Sequence, residues 1–162
     1  MEKRTGARFS PLLTGCVATD MRMARALEGC YLDILYAVAA ESYRAAVCEK
    51  WDQDLGRLFR DLAEEALCCL RILGELIVVL GGDPAPRAQL RVDSYVPRSF
   101  CAEAELRERD RMLRDAIRER KRRCECMESV MGKTQDGVVR SVLATLIGEE
   151  RRHAERLGEH LK

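Results

Sequence analysis

The sequence predicts an all-α protein, a single bundle of four long helices built as two antiparallel hairpins joined by one long crossover. Three observations carry that expectation. The chain has 162 residues, of which 47% are apolar and 34% charged, so it can bury one core and still cover its surface. That balance excludes a disordered or fibrous protein. Four prolines and 5% aromatic residues suit long helices better than the turns and strands of a β-sandwich. Finally, four long segments carry helical periodicity and end in helix punctuation, and the connections between them differ sharply in length.

Residues 1–18 read as an N-terminal arm, with one turn begun by Pro11, and residues 19–162 as the bundle. Thr19-Asp20 is a plausible N-cap for a first helix that runs to about Cys48. The second helix starts near Asp52 and stops at Gly81-Gly82-Asp83-Pro84, a glycine cap followed by a proline. Ser99 is the expected cap of the third helix, which ends near Gly132, and the fourth begins around Thr134 to Asp136. About three residues join the first helix to the second, and the third to the fourth, so each pair forms an antiparallel hairpin. Roughly 17 residues, with Pro84, Pro86 and Pro97, lie between the second and third helices and can span a helix about 42 Å long. The third helix therefore runs parallel to the second.

The inward seams are interrupted by charge. The first helix offers Ala24, Leu27, Glu28, Tyr31, Leu35 and Val38, and the second Leu55, Phe59, Leu62, Ala66, Cys69, Leu73 and Leu76. The third reads Leu106, Leu113, Ile117, Cys124, Met127 and Met131, a spacing that also turns Arg120 inward. In the fourth, Val139, Val142 and Leu146 lead to Glu150 and His153 before Leu157 resumes the stripe. Buried charge is costly unless it is paired or bound to a metal, so Arg120 is expected to donate hydrogen bonds to Glu28 and Glu150. A second apolar stripe of Leu32, Tyr36 and Tyr43 needs cover from the crossover or another subunit, and a homodimer is the expected assembly. Trp51 and Tyr95 are expected to cap the bundle ends.

Eight cysteines do not form a disulfide framework at these spacings, because Cys68-Cys69 and Cys124-x-Cys126 point to different helix faces. With no apolar leader after Met1 and no membrane-length apolar run, the expectation is a reduced, cytoplasmic protein with mostly buried thiols. A net charge of +1 supplies no global field for nucleic acid or an anionic membrane. The Arg-rich run from Arg107 to Arg123 is interleaved with Glu108, Asp110, Asp115 and Glu119, with Asp110–Arg114 and Glu119–Arg123 as expected partners on a solvated face. His160 reads as a surface residue of the last turn.

At Leu70-Arg71-Ile72-Leu73-Gly74-Glu75-Leu76-Ile77 with Leu80-Gly81-Gly82-Asp83-Pro84, and at Ile147-Gly148-Glu149-Glu150-Arg151-Arg152-His153, the chain resembles the ferritin-like superfamily. It is nearest in style to rubrerythrins, bacterioferritins and manganese catalase-like spore-coat proteins. The similarity spans Asp20 to Leu161. It implies a centre of two iron or manganese ions held by one Glu from each of the first and third helices and a Glu-x-x-His pair from each of the second and fourth. Glu150 and His153 match the fourth-helix pair, and Glu28 the first-helix Glu. The second-helix pair falls on Ala66 and Cys69, and the third-helix Glu on Arg120. An alternative register pairs Glu65 with Cys68.

With two carboxylates and one imidazole replaced, and with an arginine that is not a ligand, the expected function is a structural or interaction role on an eroded dimetal site, with no catalytic residue and no cofactor. The competing expectation is an iron- or manganese-dependent oxidoreductase (ferroxidase, peroxidase or catalase-like) that uses Glu28, Glu150 and His153 as residual metal ligands. A mononuclear zinc site of Cys69, Cys124 and His153 is a further alternative.

Overall fold

The computed structural model describes residues 18–86, 89–97 and 101–161, and these form four helices: α1 (Met21–Cys48), α2 (Gln53–Val79), α3 (Ala102–Met131) and α4 (Gly137–Glu159). Nearly all of the expected arm, and Ser99, lie outside the described residues.

Local chemistry sets the helix ends. The Asp20 carboxylate accepts the backbone N–H groups of Arg22 and Met23 at 3.0 Å, and Asp52 accepts that of Leu55 at 3.0 Å. Asp136 does the same for Val138 and Val139 at 2.9 Å, so three helices carry an aspartate N-cap. α3 starts after Cys101 without a side-chain cap, and Glu103 and Glu105 in its first turn complement the helix dipole instead. α2 closes in a Schellman turn: Gly82 N–H donates to the Ile77 carbonyl at 2.8 Å and Gly81 N–H to that of Val78 at 2.9 Å. Gly81 has φ +91°, a conformation that glycine adopts without penalty. A Cβ on Gly82 would stand 2.7 Å from the Ala24 Cβ, so the bare backbone lets the end of α2 reach the first turn of α1.

Contacts across the bundle define its topology. The Asp20 N–H donates to the Leu80 carbonyl, joining the start of α1 to the end of α2. Cys30 meets Cys126, Glu41 meets Arg120 and Cys48 meets Met112, so α1 and α3 are antiparallel neighbours. At the opposite corner Glu65 of α2 meets His153 of α4. Asp52, before α2, pairs with Arg109 near the start of α3 at 3.1 Å, which makes these two helices parallel and requires the crossover to return along the bundle. The expected four-helix architecture is therefore present.

The crossover lies over the second stripe of α1. The Tyr43 hydroxyl accepts the Tyr95 N–H at 3.0 Å, and Leu32 and Tyr36 share a cavity wall with Gln89, Leu90 and Arg91. Trp51 packs at one bundle end as expected, but Tyr95 does not cap an end. Its ring is 1% exposed and anchors the crossover in the core. Leu106, expected on the α3 seam, is 59% exposed, because α3 enters the bundle only at Met112 and Leu113.

The apolar core is divided. One cluster joins Leu27, Ile34, Leu73, Leu76, Met127 and Val142, and another joins Leu55, Phe59, Leu62, Met112, Leu113 and Leu157. Between them stand Glu41, Arg44, Arg120, Arg123, Glu150 and His153, all buried. No described helix is long and apolar enough to cross a membrane.

Candidate functional site

Along α1, the small buried residues Ala37, Ala40 and Ala45 flank Glu41 and Arg44, so that two long charged side chains share the buried face. α3 contributes Asp115, Glu119, Arg120 and Arg123, and α4 contributes Glu150 and His153, which one helical turn places on the same face. Arg120 is the hub. Its Nη2 donates to Glu41 Oε1 at 2.7 Å, and its Nη1 donates to Glu150 Oε2 at 3.1 Å and approaches His153 Nδ1 at 3.4 Å. Arg123 adds two bonds to the same Glu150 oxygen, at 3.1 Å from Nε and 2.9 Å from Nη2. On the other side Arg44 Nη2 holds both oxygens of Glu119 at 2.8 and 2.9 Å, while its Nη1 lies 3.5 Å from Glu41 Oε2. Tyr95 Oη lies 3.5 Å from Arg44 and donates to Asp115 at 2.9 Å, and Asp115 also pairs with Arg118.

His153 reaches the fourth helix of the set. Its Nε2 faces the Glu65 carboxylate, which also pairs with Arg156 at 3.5 Å. Since a guanidinium can only donate, the Arg120 contact is a hydrogen bond where His153 Nδ1 accepts it, and Nε2 is left to face Glu65.

The charges act on one another in the expected sense. Burial alone would raise the Glu150 carboxyl, but Arg123 and Arg120 outweigh it and hold the group below its ordinary value of 4.5. Glu65 follows the same pattern, with burial opposed by the hydrogen bond and charge of His153 and then by the charge of Arg156. Burial pushes the Tyr95 hydroxyl up to about 12, so it remains a donor near neutral pH. The Cys69 thiol is likewise pushed up to about 12 by burial and by the negative charge of Glu150 and Glu149.

Several sequence expectations find their place here and others move. Arg120, Glu150 and His153 do meet at the bundle centre. Glu28 does not join them. It is half-buried beside Tyr31, Leu32, Pro84 and Ala85, and Glu41, 13 positions along the helix and so about 20 Å away, is the α1 carboxylate that Arg120 holds. The proposed metal set of Glu28, Glu150 and His153 is therefore not assembled. Ala66 and Cys69 are buried as their seam requires, yet the α2 side chain that touches His153 is Glu65, from the alternative register. Cys69 and Cys124 pack in an apolar cluster, Cys124 against the Ile147 carbonyl at 3.9 Å, rather than around His153 as zinc binding would need. The Arg-rich stretch of α3 is not wholly a solvated face, since Arg120 and Arg123 are 1% and 2% exposed. Glu119 pairs with Arg44 instead of Arg123. His160 closes the C-terminal turn, and its carbonyl accepts a bond from Arg109 at 3.1 Å.

Arg44, Glu41, Arg123 and Asp115 escape a sequence reading. On α1, Glu41 and Arg44 look like an ordinary surface pair three residues apart, and the alanines beside them are too weakly apolar to mark a buried face. The faint signal is that the Cys30, Ile34, Ala37, Glu41, Arg44 and Cys48 positions keep three-four spacing throughout.

The donor chemistry does not fit a pair of divalent ions. The Glu150 oxygen turned into the network already receives three guanidinium bonds, and neither arginine can deprotonate to yield its place. Among the described residues no three His, Cys, Asp or Glu side chains are grouped so that they could hold a metal ion. What the arrangement can do is tie four helices together at one depth and fix their register. No protein-family model matches the chain, and no curated protein matches it.

Proposed function

We propose that this chain is a ferritin-like protein in which an arginine–carboxylate network has replaced a two-metal centre, and that its role is structural or interactive rather than catalytic. The observation that carries the reading is the Arg120 guanidinium, 1% exposed and bonded between Glu41 and Glu150 with His153 alongside. With those inward groups identified, the ferritin-like ligand positions read as Glu41, Glu65-x-x-Cys68, residue 120 and Glu150-x-x-His153. On that reading a histidine has become Cys68 and a glutamate has become Arg120, and a fixed cation balances charge that metal would otherwise balance. A cytoplasmic homodimer belongs to the same reading. It is supported by the exposed Leu67 and Val78 of α2, and a monomeric mass by light scattering would refute the dimer.

Elemental analysis tests the central claim. Protein purified without chelators, incubated with ferrous or manganous ion and desalted, should retain no stoichiometric metal. Two ions per chain would overturn the proposal in favour of an iron- or manganese-dependent oxidoreductase, which needs Arg120 and Arg123 to leave Glu150. The complementary variant, Arg120→Glu with Cys68→His, should gain affinity for these ions relative to the parent chain.

A further inference from the structure

Away from the charged layer, Cys30 of α1 and Cys126 of α3 face each other with their Sγ atoms 3.4 Å apart. Four further cysteines have different surroundings: Cys48 lies 3.9 Å from the Met112 sulfur, Cys124 points at a carbonyl, and Cys68 and Cys69 are consecutive on α2. The Cys30–Cys126 pair joins helices from different hairpins, linked in sequence only through the crossover. Cys30 is 2% exposed within an apolar cluster, whereas Cys126 is half-buried at its margin and open to a small reagent. One turn before Cys126, Arg122 pairs with Asp33 at 3.4 Å, and Asp33 lies one turn after Cys30. That bridge holds the two helices in register beside the thiols.

We propose that Cys30 and Cys126 form a reversible oxidation site that takes a hydroperoxide as its oxidant and yields a disulfide between α1 and α3. The Cys126 thiolate attacks the distal peroxide oxygen and breaks the O–O bond. Cys126 becomes a sulfenic acid and the other oxygen leaves as water once protonated. The Cys30 sulfur then attacks the Cys126 sulfur and expels its hydroxyl, which takes the Cys30 proton and leaves as a second water. Two thiols and one hydrogen peroxide thus give one disulfide and two waters, the two sulfurs supplying the two electrons. The sulfurs have about 1.4 Å left to close to reach bonding distance. The new bond encloses the crossover and most of α1, α2 and α3 in one loop, so oxidation locks the two hairpins together.

Hydrogen peroxide treatment of the full chain, followed by non-reducing digestion and mass spectrometry, tests this. The expected product is a Cys30–Cys126 linked peptide pair, with the thiol count of the unfolded chain falling from eight to six and dithiothreitol restoring it. The oxidised protein should also melt higher than the reduced one. Cys126→Ser, at a half-buried position, should abolish both the link and the melting shift, and Cys30→Ser should leave a Cys126 sulfenic acid that dimedone captures. A chain that keeps eight thiols, cross-links between other cysteines, disulfides between molecules only, or an unchanged melting shift in Cys126→Ser would each overturn the proposal.

Discussion

Replacing Arg120 with methionine tests the charged layer directly, because methionine keeps much of the side-chain volume and removes only the cation. The loss falls unevenly. Glu150 retains its bonds from Arg123 at 3.1 and 2.9 Å, but Glu41 loses its 2.7 Å bond and keeps only Arg44 Nη1 at 3.5 Å. Glu41 is 0% exposed and cannot turn to water. Breaking a buried pair by removing one partner costs about 3–5 kcal/mol. The Coulomb term agrees in scale, since unit charges about 4 Å apart at an effective dielectric near 20 attract by about 4 kcal/mol. That is a large part of the stability of an ordinary domain. Urea unfolding followed by circular dichroism should therefore show a much lower midpoint at an unchanged m value. The double variant Arg120→Met with Glu41→Leu should be less damaged than the two single changes summed, by about 2–3 kcal/mol, since no carboxylate is then stranded. A loss below about 0.5 kcal/mol for Arg120→Met, or simple additivity in the cycle, would show that Arg120 does not hold the buried Glu41 charge.

Two further outcomes follow from the same groups. Glu150 and Glu65 are held below 4.5 in the folded state, so the unfolded chain binds more protons as acidity increases. Their stabilisation is present above that value and is lost as pH falls through the folded values. The urea midpoint should hold steady from about pH 7 to 5.5 and decline below about 4.5, and Glu150→Gln should flatten the decline. Tyr95→Phe removes the bond to Asp115 and should cost about 1–2 kcal/mol, with faster amide exchange of residue 95, whose N–H donates to Tyr43.

The four helices and most of their ends were legible from the sequence, since aspartate caps, the Gly81-Gly82 stop and connection lengths act locally; the start of α3 was not, its N-cap being Cys101 rather than Ser99. Also legible were the direction of the third helix and the inward placement of Arg120, Glu150 and His153, because three strongly apolar stripes surround them. Packing settled the rest: Glu41 rather than Glu28 meets Arg120, Glu65 rather than Cys69 meets His153, and Arg44 and Arg123 are buried. Side-chain length and alanine explain the difference. Glutamate and arginine reach several ångströms from the helix axis, so a residue at the flank of a seam, such as Glu65, can still deliver its charge inward. On α1 the bulky Tyr31, Leu35 and Val38 advertise a face that is only half-buried, while the alanines that make space for Glu41 and Arg44 carry too little apolar surface to reveal the true one. Which charge pairs with which is then a matter of depth along four packed helices, a quantity that exists only once they have assembled.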